Sequence, residues 1–129
     1  MWPDVNPRSP TPMYQQIVEG IRSAVAKGAL ASGDRLPSVR ELAAGLMINH
    51  NTIAHAYQEL EREGVIEVLR GRGTFIAQTP VVINADARKK EMRATIRRLI
   101  IEAHHLQMSD DALRTIFEQE LQRWRAERE

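Results

Sequence analysis

No cysteine occurs in this chain of 129 residues. Its absence excludes disulfides, thiolate nucleophiles, iron–sulfur clusters and Cys-ligated zinc sites, and it fits a reducing cytoplasm, the expected compartment. Long hydrophobic runs are missing too, since none approaches the roughly 18 residues a membrane span needs. The opening Met1-Trp2-Pro3-Asp4 has neither a basic n-region nor an apolar h-region, so neither a signal peptide nor a membrane partner is expected. Charge of one sign is also scarce. Lys and Arg number 18 against 17 Asp and Glu, a formal +1. That removes the simplest argument for a nucleic-acid partner, a strongly basic balance, and leaves only where the charges sit. No Gly-x-Ser-x-Gly, P-loop, Rossmann or His-Glu-x-x-His signature occurs. The length, moreover, falls short of the two-lobed architectures most cofactor enzymes use. Neither catalysis nor a cofactor is expected.

What is present is unevenly distributed. All seven glycines fall between Gly20 and Gly73, and four of the six prolines lie in the first 12 residues, followed by Pro37 and Pro80. A glycine-punctuated stretch followed by a glycine-free, charged one reads as a small mixed domain plus helices. The expected division is an N-terminal arm over 1–11, a domain over 12–79 and a helical appendage over 80–129, with the seam at Thr79-Pro80.

Within the domain, Thr11 is a plausible N-cap with Pro12 at the first helical position. Tyr14, Ile17, Val18, Ile21 and Val25 then recur at helical spacing until Gly28. Gly33-Asp34 reads as a turn. Ser38-Val39-Arg40-Glu41 matches a capping box, opening a short helix that turns Val39, Leu42 and Ala43 inward and is expected to stop at Gly45. Leu46-Met47-Ile48 is a tight apolar connection. Asn49 can cap a third helix with a buried stripe of Ile53, Ala56, Tyr57 and Leu60, ended by Gly64. Two β-prone runs, Val65–Leu69 and Thr74–Ala77, flank the tip Arg70-Gly71-Arg72-Gly73 as a hairpin. Helix, helix, tight turn, helix and hairpin is the order of a winged helix-turn-helix. The fold expected is therefore mostly α with a small β-hairpin: that domain, then a C-terminal two-helix tail.

In the tail, Met92, Ile96, Leu99, Ala103 and Leu106 advance by 4, 3, 4 and 3, a coiled-coil-like seam. Ser109-Asp110-Asp111 offers an N-cap with acidic residues in the first turn. The helix after it presents Leu113, Ile116, Phe117, Leu121 and Trp124. Two such helices cannot bury both stripes alone. Pairing of the hairpin with its copy is the natural solution, which makes a homodimer the expected state.

The chemistry-bearing positions lie at the start of the third helix. A helix in the major groove reads base edges with side chains near its N-terminus while its buried face holds it to the domain. Asn49, His50, Asn51 and Thr52 are polar, short and not needed for the apolar stripe. Asn51 can make the bidentate contact to adenine, Thr52 can touch a thymine methyl or a phosphate, and His50 can donate to a phosphate or to guanine. His55 lies one turn further along. The bland alternative is that Asn49 merely caps the helix and the rest are solvated. Arg70, Gly71 and Arg72 form a tip suited to a narrow minor groove, to which Arg is drawn, or else an ordinary solubilising hairpin. Ser38, Arg35 and Arg40 complete the expected DNA face, with Arg40 free to pair instead with a neighbouring carboxylate. About four basic groups per subunit would give a dimer a salt slope of roughly −4 to −7. Adjacent His104 and His105 point about 100° apart on a helix, a poor arrangement for one metal within one chain. Packing at the surface or a dimer interface is the simpler reading, and no metal site is expected.

Pro12-Met13-Tyr14-Gln15-Gln16-Ile17 and Gly33-Asp34-Arg35-Leu36-Pro37-Ser38-Val39-Arg40-Glu41-Leu42-Ala43 together resemble the opening of a GntR-family DNA-binding domain. Thr52-Ile53, Tyr57-Gln58-Glu59-Leu60-Glu61-Arg62-Glu63-Gly64 and Gly71-Arg72-Gly73-Thr74-Phe75 extend the match over residues 12–77. Asn49 to Tyr57 and the short helical tail look like the YtrA subfamily. The resemblance implies a dimeric bacterial transcription factor, usually a repressor, on a palindromic double-stranded DNA operator. It also implies DNA contacts from Arg40, from His50 to Thr52 and from the wing around Arg70 to Arg72. Many members have Ser-Arg where this chain has Asn49-His50 and a second Arg at the position of Ala54, so the operator sequence does not carry over. The tail leaves little room for an enclosed ligand cavity, which puts any small-molecule effector at the dimer interface. A winged-helix protein-interaction module without sequence-selective DNA binding is the alternative from a different class.

Overall fold

The computed structural model describes residues 5–78 and 84–128. It divides into two compact units, Met1–Ile83 and Asn84–Glu129. The seam expected at Thr79-Pro80 lies outside the described residues. The first unit runs α1 (Met13–Ala26), β1 (Arg35–Leu36), α2 (Val39–Leu46), α3 (His50–Arg62), β2 (Ile66–Leu69) and β3 (Gly73–Ile76); the second is α4 (Ala85–His105) and α5 (Asp110–Arg128).

A single core holds the first unit together. Ile17 and Ile21 of α1, Leu36 of β1, Ile53 and Leu60 of α3, Ile66 of β2 and Ile76 of β3 are all fully buried. Fully burying an aliphatic side chain of this size contributes about 1.5–3 kcal/mol, so these few positions decide how the elements stack. The three strands form an antiparallel sheet in the order β1-β3-β2. Arg35 faces Phe75 and Leu36 faces Thr74 on one side of β3, while Ile66 faces Ile76 and Leu69 faces Gly73 on the other. This is a winged helix-turn-helix, with β1 as a strand the hairpin reading did not include. Two residues are too few for an alternating pattern, and β1 exists only because a strand some 40 residues further on pairs with it.

Two boundaries differ from the sequence expectation. The α1 cap is Pro12, not Thr11: Pro12 is extended (φ −54°, ψ 147°) and makes no side-chain cap. Its carbonyl accepts the first helical bond from the Gln16 N–H at 3.1 Å. The Gln16 side chain completes the start by donating to the Thr11 and Asn6 carbonyls and accepting from the Asn6 N–H. The second difference is at the end of α2. Gly45 does not stop the helix, which continues through Leu46 and turns at Met47, left-handed at φ 56°. The Ile48 N–H returns to the Ala43 carbonyl at 3.0 Å, closing a Schellman-type turn. Leu46 and Ile48 both pack on the core, so the chain must reverse between them, and Met47 is left 92% exposed.

The other caps match their expectation. The Ser38 hydroxyl accepts from the Glu41 N–H at 3.0 Å, and the Glu41 carboxylate accepts from the Ser38 N–H at 3.2 Å. Gly28 and Gly64 take the left-handed conformation just past α1 and α3.

In the second unit Ser109 caps α5, accepting from the Ala112 N–H at 3.1 Å. Of the expected seam on α4, only Ala103 is buried, whereas Met92, Ile96 and Leu99 are exposed. Leu106 lies beyond the helix as its C-cap. Along α5, Leu113, Leu121 and Trp124 are half-buried and Phe117 is exposed. An open groove of about 590 Å³ lies within this unit, with Ile96, Leu99, Ile100, Leu113 and Phe117 in its wall.

The capping box generates a prediction. Hydrogen bonds from Ser38 hold the Glu41 carboxyl below its usual 4.5, against a small opposing desolvation and with help from Arg35. Because the folded-state value is the lower one, Glu41 contributes its stability fully above the unfolded-state pKa. That contribution is lost as pH falls through the folded one. In thermal melts between about pH 3 and 7, Glu41→Gln should lower the melting temperature at neutral pH and flatten its fall below about pH 4.5. Ser38→Ala should cost about 1 kcal/mol at neutral pH.

Candidate nucleic-acid interface

The N-terminus of α3 is organised by its cap. The Asn49 side-chain oxygen accepts from the Asn51 N–H at 2.7 Å, which ties the carbonyl half of Asn49 to the backbone and leaves its amide group as a donor. His50 and Asn51 are exposed and Thr52 is half-buried. Beyond this first turn the helix is held by the stripe of Ile53, Ala56, Tyr57 and Leu60, each 5% exposed or less. The helix therefore presents three consecutive polar side chains while its stripe is locked in the core.

The arginines of the first unit fall into different situations. Arg40 is exposed in the first turn of α2, and among the described residues no carboxylate lies within ion-pair distance of it. Arg70, Gly71 and Arg72 are exposed at the hairpin tip, where the Arg72 N–H donates to the Leu69 carbonyl at 2.9 Å. Gly71, the third residue of that turn, has φ +75°, which glycine adopts without strain. By contrast Arg22 and Arg62 are engaged by acids, with Arg62 on Glu59 at 2.7 Å and Arg22 on Glu63 at 3.8 Å. The Arg62 hydrogen bond holds the Glu59 carboxyl below its usual value.

Arg35, also exposed, has a neighbour within the fold. From β1 its guanidinium lies against the wing: a Cβ at Gly73 would meet its Nε at 3.3 Å and its Nη2 at 3.5 Å. Its charge also acts on Glu41 at the start of α2. His55 is likewise engaged, its ring stacked on Tyr14 of α1 at a centroid distance of 4.0 Å and 20° between planes. Of the expected DNA face, every residue is exposed except the half-buried Thr52, with Ser38 and Asn49 also serving as caps. Arg35 and His55 are held by neighbours.

Three contributors were not among the expected site residues: Tyr14, Gly73 and the Tyr57 hydroxyl, which donates to the Pro37 carbonyl at 2.7 Å. Burial, with the Glu41 carboxylate adding to it, pushes that hydroxyl's pKa up. A tyrosine in an apolar stripe was itself a signal, because a buried phenol needs a partner. His104 and His105 are exposed at the end of α4. Among the described residues no group of three or more His, Asp or Glu is placed to hold a metal, and no helix is long and apolar enough to cross a membrane.

The family model described as bacterial regulatory proteins, gntR family, matches residues 13–76. The HTH-type transcriptional repressor YtrA of Bacillus subtilis (strain 168) is 45% identical over 101 residues, 78% of either chain. A solved structure described as a transcriptional antiterminator from Listeria monocytogenes EGD-e superposes with a TM-score of 0.85 at 33% identity, over 94% of this chain and 90% of that one. The DNA-binding domain of AraR in complex with operator ORX1 gives a TM-score of 0.52 at 28% identity, over 57% of this chain and 95% of that one.

The seat of Arg35 can be tested through glycine. Gly71 faces open space, so Gly71→Ala should cost about 1–2 kcal/mol for its left-handed backbone alone. Gly73, at φ +126°, carries both the backbone strain and the contact with Arg35. Gly73→Ala should cost about 2–3 kcal/mol in urea denaturation, and less in an Arg35→Ala background. An undiminished cost there would mean the guanidinium is not seated on Gly73.

Proposed function

This chain belongs to the GntR family of bacterial regulatory proteins, and from that membership we propose that it is a homodimeric repressor binding a palindromic operator in the cytoplasm. One observation carries the reading: α3 offers the polar run His50-Asn51-Thr52 from a helix anchored in the core, and the same unit carries exposed Arg40, Arg70 and Arg72. In this arrangement the start of α3 enters the major groove. Asn51 reads adenine, while His50 and Thr52 contact a base edge or a phosphate. Arg40 grips the backbone and the wing tip enters the adjacent minor groove. Arg35 braces the wing instead of contacting phosphate, and His55 is kept by Tyr14.

Dimerisation falls to the tail, because α4 and α5 leave Met92, Ile96, Leu99 and Phe117 exposed and have no core of their own to cover them. A second copy of the hairpin supplies that cover. It sets the two α3 helices roughly 34 Å apart, one turn of B-DNA. A small-molecule effector bound among these helices would act by favouring one of two dimer geometries. Family membership and the AraR complex with its operator support DNA as the partner.

Selection of bound sites from random DNA by the full chain should return a palindrome with half-sites one helical turn apart. Failure to enrich any sequence would favour a protein-interaction module. On the enriched duplex, three arginines per subunit at the backbone or in the minor groove imply a log–log salt slope of about −5, and Arg40→Ala should make it shallower by up to about two per dimer. In size-exclusion chromatography the full chain should run as a dimer and a chain ending at Gln78 as a monomer. A truncated dimer would remove the tail from this role.

A further inference from the structure

Tyr57 is 5% exposed and lies within the apolar stripe of α3. Phenylalanine would fill the same space, so its oxygen must be explained by what it holds. That oxygen donates to the carbonyl of Pro37, 20 residues earlier, at 2.7 Å. Pro37 is the residue immediately before the α2 cap. The start of α2 is thereby fixed from two directions, by Tyr57 at Pro37 and by the Glu41 carboxylate at the Ser38 N–H, 3.2 Å away. Arg40 follows two residues later and is exposed. A long guanidinium reaches a phosphate only from a well-placed backbone, and a shift of about 1 Å at its root is enough to lose the contact. Tyr57 also sits mid-way along the helix that carries His50, Asn51 and Thr52 at its start.

We propose that Tyr57 is a positioning residue for DNA binding: its hydroxyl locks the start of α2, and with it Arg40, in register with the base-reading end of α3. This rests on the placement of Arg40 at the phosphate backbone proposed above. The group acts through Arg40 and touches no DNA itself.

A double-mutant cycle of Tyr57→Phe and Arg40→Ala tests it, using the full chain and a duplex enriched from a random pool by the wild type. Binding is measured over a range of salt, below the melting temperature of every variant. Tyr57→Phe keeps the ring and should leave the circular dichroism spectrum unchanged. It should weaken binding roughly three- to ten-fold, the size of one neutral hydrogen bond, and make the salt slope shallower. In the Arg40→Ala background the same change should weaken binding less than about twofold. An equal loss in both backgrounds, or an unchanged slope, would overturn the proposal and leave the hydroxyl a purely stabilising role. If Arg40→Ala itself altered neither affinity nor slope, the placement of Arg40 would fail together with the inference. A full Arg40 effect with an additive Tyr57 effect defeats the inference alone.

Discussion

The stripe of Ile53, Ala56, Tyr57 and Leu60 is the only part of α3 buried in the protein, and the first unit is built around keeping it there. A helix that shows one face to a ligand can be held only by the other, over roughly a third of its circumference. Here α1 and α2 both pack on α3, and Ile17, Ile21 and Leu42 join its stripe in one cluster with the strand residues Leu36, Ile66 and Ile76. The consequence is positional. With the stripe locked, the exposed start of the helix is set to within the tolerance of a packed core, where a displaced methyl group is felt. The caps then fix the last degrees of freedom at each end, Asn49 at one and Gly64 at the other.

The second unit follows the opposite physics. Its two helices each carry an apolar stripe, yet α5 contains no fully buried residue, and eight of the eleven large exposed hydrophobics of the described chain belong to this unit. Only Ala103 is buried in α4, next to the turn, where the Met108 N–H returns to its carbonyl at 3.0 Å. Further from the turn the larger residues Ile96, Leu99 and Phe117 border the groove without filling it. Exposed apolar surface of this continuity marks an interaction site. A heptad-like spacing points to a helical partner, and the proposal of a second copy satisfies it with no additional component.

Much of this architecture was legible because its signals are local. Ser38 and Glu41 three residues apart, Asn49 before an apolar period of 3.6, Gly64 after it and a glycine-rich tip between β-prone runs each specify structure through their own backbone. What the sequence concealed depends on distant partners. The strand Arg35–Leu36 is defined by Phe75 and Thr74. The turn at Met47 is chosen over Gly45 because Leu46 and Ile48 both reach the core, which outweighs the strain of a left-handed methionine. In the candidate site the exposed run at the start of α3 was readable from periodicity alone. The orientation of Arg35 onto Gly73, of His55 onto Tyr14 and of the Tyr57 hydroxyl onto Pro37 was not, since each joins elements far apart in the chain.

These orientations bear on the near-neutral charge. A net +1 is uninformative as a sum, because the arginines of the first unit are not equivalent. Arg22 and Arg62 are matched with Glu63 and Glu59, the latter two in the second half of α3 or at its cap. Arg35 acts on Glu41 and on the backbone of the wing. Arg8, Arg40, Arg70 and Arg72 remain, all exposed, the last three on the first turn of α2 and on the hairpin tip. Acids thus offset the basic residues that position the fold, while the three arginines at the candidate interface keep their charge. A field divided in this way is weak at long range, where it cancels within a Debye length or two, and strong only where a phosphate comes close. Such a protein gains less from non-specific attraction than a uniformly basic one. On the proposed function, its affinity comes from close contacts made at once, which favours a paired, correctly spaced site over an isolated stretch of DNA.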